Sequence, residues 1–182
     1  MNLIQLPVNI FFIIKNIISV LFLKREKKIA SILLRNALTV STAESCTGGL
    51  ISSRLTDVSG SSAYVMQNFV TYANSAKIQL LNVNSKTIDK YGVVSEEVAL
   101  EMAEGLLKKY NCNIAVSTTG IAGPLGATRT KPVGLICIAI SNSKVKKTYK
   151  YYANPLLYRR IMKYAFSNVA LDKLLCFLIE NY

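Results

Sequence analysis

Ser45 stands in the string AESCTGG, between two apolar runs. A serine hydroxyl becomes a useful nucleophile only when a neighbouring base takes its proton. The chain contains no histidine. That excludes a Ser-His-Asp triad, a Cys-His dyad and any histidine-ligated metal site within this chain. The base must then be a Lys, an Asp or Glu, a Tyr or a terminus. Lys77 is a candidate on local grounds. It falls in the first turn of a short predicted helix, where the positive end of the helix dipole lowers a lysine pKa. Tyr72, ending the strand predicted just before, is placed to relay a proton or to orient Lys77. The plainer reading of any single lysine is a solvated surface charge.

The elements that must position these residues alternate between helix and strand. Residues 24–36 place Ile29, Ile32 and Leu33 on one helical face. Residues 38–42 (LTVST) read as a short strand. The small polar turn at 45–49 follows, and the apolar pattern resumes as a helix over 50–55. Ser45 therefore lies on a strand-to-helix turn. Residues 58–62 read as a loop, residues 69–72 as a strand, and Asn74 or Ser75 as the cap of the helix carrying Lys77. Ser95 is a good N-cap, with Glu96 and Glu97 in the first turn. Val98, Ala99, Met102, Ala103, Leu106 and Leu107 follow at helical spacing. Residues 114–116 form a buried-type strand that runs into a second glycine-rich turn, TTGIAGP. Residues 133–140 (VGLICIAI) form an apolar strand, residues 147–152 an edge strand, and residues 156–178 a final helix. This order predicts an α/β fold, a three-layer α/β/α sandwich with a central mixed sheet.

Both glycine-rich turns follow strands, and ligands of open α/β sheets bind beyond the carboxyl ends of strands. Gly48 and Gly49 let the backbone approach a ligand and aim N–H groups at a phosphate or a developing oxyanion. On spacing alone, such a turn could equally be a plain connection.

Composition sets the boundaries. The chain has 182 residues, 51% of them hydrophobic, with no internal repeat. This argues for one ordinary domain and against disorder. The net charge is +12, from 22 Lys and Arg against 10 Asp and Glu. The basic residues are mostly lysines spread end to end, dense only at 24–28 and 144–150. With no zinc-ligand spacing and no RNA-binding signature, they read as a solvated surface, and no nucleic-acid partner is expected. Cys46, Cys112, Cys137 and Cys176 are far apart with no CxxC pair. That pattern fits packed thiols in a reducing cytoplasm better than disulfides.

Residues 1–23 are strongly apolar, with Lys15 and Asn16 in the middle. A central lysine costs roughly 3 kcal/mol in a spanning helix. No small-residue cleavage site is evident, and the basic cluster follows the apolar run. A signal peptide is therefore not expected. Three readings stand: an interfacial or membrane anchor, a helix covering an apolar surface, or an upstream start with no structural meaning. Residues 24–182 are expected to form the domain.

Four ordered blocks carry a resemblance. The strings AESCTGGLISSRLTDVSGSS, FVTYANSAK, YGVVSEEVALEMAEG, and STTGIAGP followed by KPVG resemble the successive signatures of the CinA C-terminal family. The family includes stand-alone nicotinamide mononucleotide deamidases and the C-terminal half of competence/damage-inducible proteins. The resemblance implies a serine amidohydrolase with its nucleophile at Ser45, its lysine at Lys77 and its motif tyrosine at Tyr72. It implies an oxyanion held by backbone N–H groups near Thr47, Gly48 and Gly49, with no metal and no cofactor. Cys46 is then a packed neighbour of the nucleophile. The TTGIAGP turn, with Thr119, Gly120 and Gly123, and the basic residues Arg129 and Lys131 are expected to hold the ribose phosphate of a nucleotide substrate.

The chain departs from the family pattern at residues 125–129 (LGATR), where an acidic residue and further glycines are usual. It departs again at Gln67 and Asn68, where paired glycines are common. The altered loop favours an alternative, a non-catalytic nucleotide-binding protein on the same fold. The final helix usually carries arginines, and Arg159, Arg160 and Lys163 lie in that region. No partner domain is expected before the matched region, which is the stand-alone form, and a homodimer is the default assembly.

Overall fold

The computed structural model describes residues 8–11, 13, 14 and 24–182. Five strands form one sheet: β1 (Val40–Glu44), β2 (Val65–Val70), β3 (Ile114–Gly120), β4 (Leu135–Ser141) and β5 (Lys146–Tyr152), in the order β2-β1-β3-β4-β5. β1 runs parallel to both β2 and β3, whereas β4 and β5 are antiparallel additions. The sheet is therefore mixed, as the alternation of elements predicts.

The helices are α1 (Lys24–Arg35), α2 (Leu50–Thr56), α3 (Asn74–Leu81), α4 (Ser85–Tyr91), α5 (Glu96–Lys109) and α6 (Arg159–Asn181), with a 3-10 turn at Ser61–Ala63. The crossover from β1 to β2 goes to one side of β1, and the one from β2 to β3 returns across it. Right-handed crossovers in opposite directions put their helices on opposite faces of the sheet. One core accordingly joins α1, α2 and α6, through Ile29, Leu33, Ile51, Leu55, Phe166 and Leu174, to Val116, Ile136, Ile138 and Ile140. The other joins α3 and α5, through Leu81, Val98, Met102 and Leu106, to Ala43, Ala115, Cys137 and Ala139. Alternate residues of β3 and β4 serve the two cores, large on the first face and, apart from Leu135, small on the second. Covered on both faces, β1 and β4 are buried along their whole length.

The small second face lets α5 lie close, and Gly105 brings α3 closer still. A Cβ at Gly105 would sit 2.0 Å from the carbonyl oxygen of Leu81, the last residue of α3. Each large apolar side chain buried by α5 contributes ~1.5–3 kcal/mol. Lys77 belongs to α3, so this packing fixes its height above the sheet.

Several local expectations are corrected. The second strand covers Val65–Val70 and ends before Tyr72. Its middle residues Gln67 and Asn68 hid the pattern, yet Asn68 Oδ1 accepts from the Thr42 N–H at 3.0 Å where β1 and β2 slip register. β3 runs on through Thr119 and Gly120, expected in a turn, because β4 pairs with both. Ala73, not Asn74 or Ser75, is the N-cap of α3 and offers no side-chain bond. The helix Ser85–Tyr91 had no periodicity to reveal it. Its start is capped by Asn84, which accepts from the Lys86 N–H. Ser95 does cap α5, accepting from the Val98 N–H at 3.2 Å.

Residues 8–11, 13 and 14 are helical. Val8 packs against the first core, while Ile10, Phe11, Ile13 and Ile14 are exposed. Among the described residues no helix is long and apolar enough to cross a membrane. The expectations for residues 1–7, 12 and 15–23 lie outside the described residues.

Candidate active site

β1 lies between its two parallel neighbours, and Glu44 is level with both Val70 and Thr118. The carboxyl ends of three strands therefore meet, and the chain leaves β1 toward either side. That is the switch point at which open α/β sheets form a crevice. Ser45 follows β1, Thr71 and Tyr72 follow β2, and Thr119 and Gly120 end β3.

The Lys77 side chain is fully buried. Its Nζ lies 3.2 Å from Ser45 Oγ, 2.7 Å from the Thr71 carbonyl oxygen and 3.1 Å from that of Tyr72. These partners are a hydroxyl and two carbonyls, and none carries a charge. Burial without a counter-charge pushes the lysine pKa down to about 8, opposed by the nearby Cys46. A neutral amine has two N–H donors and one lone pair. The two carbonyls can take both donors, and the lone pair then faces the Ser45 hydroxyl. These surroundings favour the neutral amine over the ammonium.

Glu44 sets the turn that carries Ser45. It is fully buried at the end of β1. Its carboxylate accepts from the N–H groups of Gly49 (2.9 Å), Ile51 (3.1 Å) and Ser52 (2.8 Å) and from the Ser52 hydroxyl (2.6 Å). A buried carboxylate needs such donors, and the N-terminus of α2 supplies them with a favourable dipole. Gly48 and Gly49 turn the chain at φ 61° and 90°, where a side chain would be strained. This geometry corrects the expected oxyanion donors. The Gly49 N–H is taken by Glu44, and the Gly48 N–H bonds back to the Ser45 carbonyl at 3.2 Å. The Cys46 and Thr47 amides donate to no backbone carbonyl among the described residues. The Thr47 side chain is buried, its hydroxyl 2.9 Å from that of Thr118.

Ser45, Lys77, Tyr72, Thr119, Gly120 and Arg159 line a cavity of about 280 Å³. Tyr72 orients Lys77 through its backbone, not its ring. The phenol instead accepts from Arg159 Nη2 at 2.7 Å, and Arg159 Nη1 donates to the Gly123 carbonyl at 2.6 Å. Arg159, the first residue of α6, thus ties the β2 exit to the 120–126 turn. Lys163 lies one helical turn further on, and its ammonium would be 2.9 Å from a Cβ at Gly48. Arg159 brings a cation from α6 to the cavity, and Arg129 and Lys131 are not among its lining residues. Arg129 is exposed and outside the cavity, and the Lys131 ammonium donates to the Tyr91 carbonyl. Leu125 and Gly126 of the same loop line the cavity, but neither basic residue does. Cys46 lines the cavity but is buried, and burial pushes its thiol pKa up to about 12. Among the described residues no group of three or more Cys, Asp or Glu could hold a metal ion.

Glu44 and Arg159 were not singled out for these roles from the sequence. An acidic residue shortly before a helix start is a readable sign for Glu44. Nothing local signals Arg159, whose partners lie 36 and 87 positions away.

Comparison with known proteins agrees with this fold. The model of the CinA C-terminal domain matches residues 23–178. A CinA-like protein of Chloroherpeton thalassium is 49% identical over 150 residues, covering 81% of this chain and 36% of that protein. One from Chlorobium limicola is 54% identical over 119 residues, covering 65% of this chain and 28% of that protein. The chain thus spans about a third of the length of these curated relatives. Among solved structures, a competence/damage inducible protein from Agrobacterium tumefaciens superposes with a TM-score of 0.81 at 39% identity, covering 85% of this chain and 93% of that one. A CinA superfamily protein from Klebsiella pneumoniae gives 0.82 at 25% identity, covering 87% and 98%.

Proposed function

Since the chain belongs to the CinA C-terminal domain family, we propose that it is a serine amidohydrolase that converts nicotinamide mononucleotide to nicotinic acid mononucleotide and ammonia. The observation that carries the reading is the 3.2 Å approach of Lys77 Nζ to Ser45 Oγ inside a cavity. With its pKa near 8, an appreciable share of Lys77 is neutral at physiological pH.

In the first half-reaction neutral Lys77 takes the Ser45 proton as Oγ attacks the carboxamide carbon. The pyridinium ring withdraws electrons from that carbon and favours attack. The Cys46 and Thr47 amides are the donors left for the oxyanion. The Lys77 ammonium then protonates the leaving nitrogen, the C–N bond breaks and ammonia departs. In the second half-reaction Lys77 takes a proton from water, whose oxygen attacks the acyl carbon. The ester bond breaks, and Ser45 recovers its proton. Arg159 and Lys163, one turn apart on α6, replace Arg129 and Lys131 as the groups that hold the substrate phosphate. The +12 net charge adds attraction for an anionic ligand.

The test is ammonia release from nicotinamide mononucleotide by the purified chain and by its Ser45→Ala variant. Release by the parent and none by the variant supports the reading. A folded parent that binds the nucleotide without releasing ammonia overturns it in favour of a binding protein.

A further inference from the structure

We propose that Asn9 is a positioning residue for Arg159, acting on the start of α6 from outside the family-matched residues 23–178. The inference rests on the proposed role of Arg159 as a holder of the substrate anion.

Asn9 is only 1% exposed. A buried amide is costly unless its donor and acceptor are both used. Asn9 uses both on one short segment: Nδ2 donates to the Leu156 carbonyl at 3.3 Å, and Oδ1 accepts from the Tyr158 N–H at 2.9 Å. Tyr158 is the N-cap of α6 and has no side-chain cap bond of its own. Arg159 is the next residue. The two Asn9 bonds fix the backbone between 156 and 158, and so the direction in which α6 begins. That direction sets where the Arg159 guanidinium reaches Gly123 and Tyr72 at the cavity. The seat is partly apolar, since Val8 packs against the core beside it. Small errors in aim matter because a charge-assisted contact depends on donor geometry within a few tenths of an ångström.

The experiment uses the full chain with Asn9→Ala, Arg159→Ala and the double substitution. Asn9→Ala is expected to raise KM for nicotinamide mononucleotide by about tenfold while kcat stays within about twofold. In the Arg159→Ala background, adding Asn9→Ala should change KM by less than about twofold, because both act through one group. An unchanged KM in folded Asn9→Ala overturns the proposal. So does an equal loss in both backgrounds, which is what general loosening would produce. If the parent releases no ammonia, the proposed reaction fails separately, and amide exchange then reads the clamp. Faster exchange at Tyr158 and Met162 in Asn9→Ala supports it, and unchanged exchange overturns it.

Discussion

Lys77 Nζ lies 3.2 Å from Ser45 Oγ although the two residues are 32 positions apart on different elements. The approach depends on two parallel strands ending at one level and on a helix seated close over Gly105. The amine is buried with no counter-charge beside it, so its proton is weakly held. The first consequences are in pH.

The kcat/KM for ammonia release should rise with pH through about 8 and level off above it, because the base must be neutral. The same depressed pKa affects stability. The unfolded chain holds the Lys77 proton up to the ordinary value of 10.5, and the folded chain loses it near 8. Between those values the unfolded state binds more protons, so stability rises with pH. Urea denaturation of the parent and of Lys77→Met, at a series of pH values, checks the sign. The difference between them should shift in the parent's favour from pH 8 to 10.5 and stay flat below 8.

Ser45→Ala should abolish ammonia release, whereas Cys46→Ala should keep kcat within about threefold of the parent, since a thiol held near pKa 12 supplies no thiolate. Steady-state kinetics of both variants separate the serine from its neighbour. Activity lost equally in both would assign the chemistry wrongly.

Glu44→Ala should destabilise the fold by about 3–5 kcal/mol, as three backbone N–H groups and a hydroxyl lose their acceptor. Glu44→Gln keeps one acceptor oxygen and should cost less. Thermal or urea unfolding measures both. A loss below about 1 kcal/mol for the alanine variant would mean that the turn is held by other bonds.

Glu26 and Arg54 form a buried ion pair remote from the cavity, with Arg54 also donating to Ser167 at 2.9 Å and Asn168 at 2.7 Å. Glu26→Ala should cost about 3–5 kcal/mol by stranding a buried charge. The double substitution Glu26→Leu with Arg54→Met should cost clearly less than the sum of Glu26→Leu and Arg54→Met made singly. Urea midpoints of the three variants give the coupling.

The sequence by itself determined which residue types could act. Without histidine, a serine nucleophile needs a lysine or a carboxylate, and Ser45 and Lys77 were recognisable from their turns. It also determined the alternation of helix and strand, because buried β1 and β4 and amphipathic α5 carry their periods in their own residues. Only the tertiary structure decided what stands around the pair. The Lys77 environment is made by the carbonyls of Thr71 and Tyr72, and backbone oxygens leave no mark in a side-chain pattern. Glu44 takes the Gly49 N–H that the glycine turn alone seemed to offer. Arg129 and Lys131 carry the right charge, but neither lines the cavity, and Lys131 is spent on the Tyr91 carbonyl. Arg159 reaches the cavity from a helix far along the chain, because residues 153–158 carry the chain from β5, at the opposite edge of the sheet, back toward the exit of β2. Charge and reactivity are local properties and can be read locally, whereas a pKa, a free donor and an aimed guanidinium depend on which distant groups share the same space.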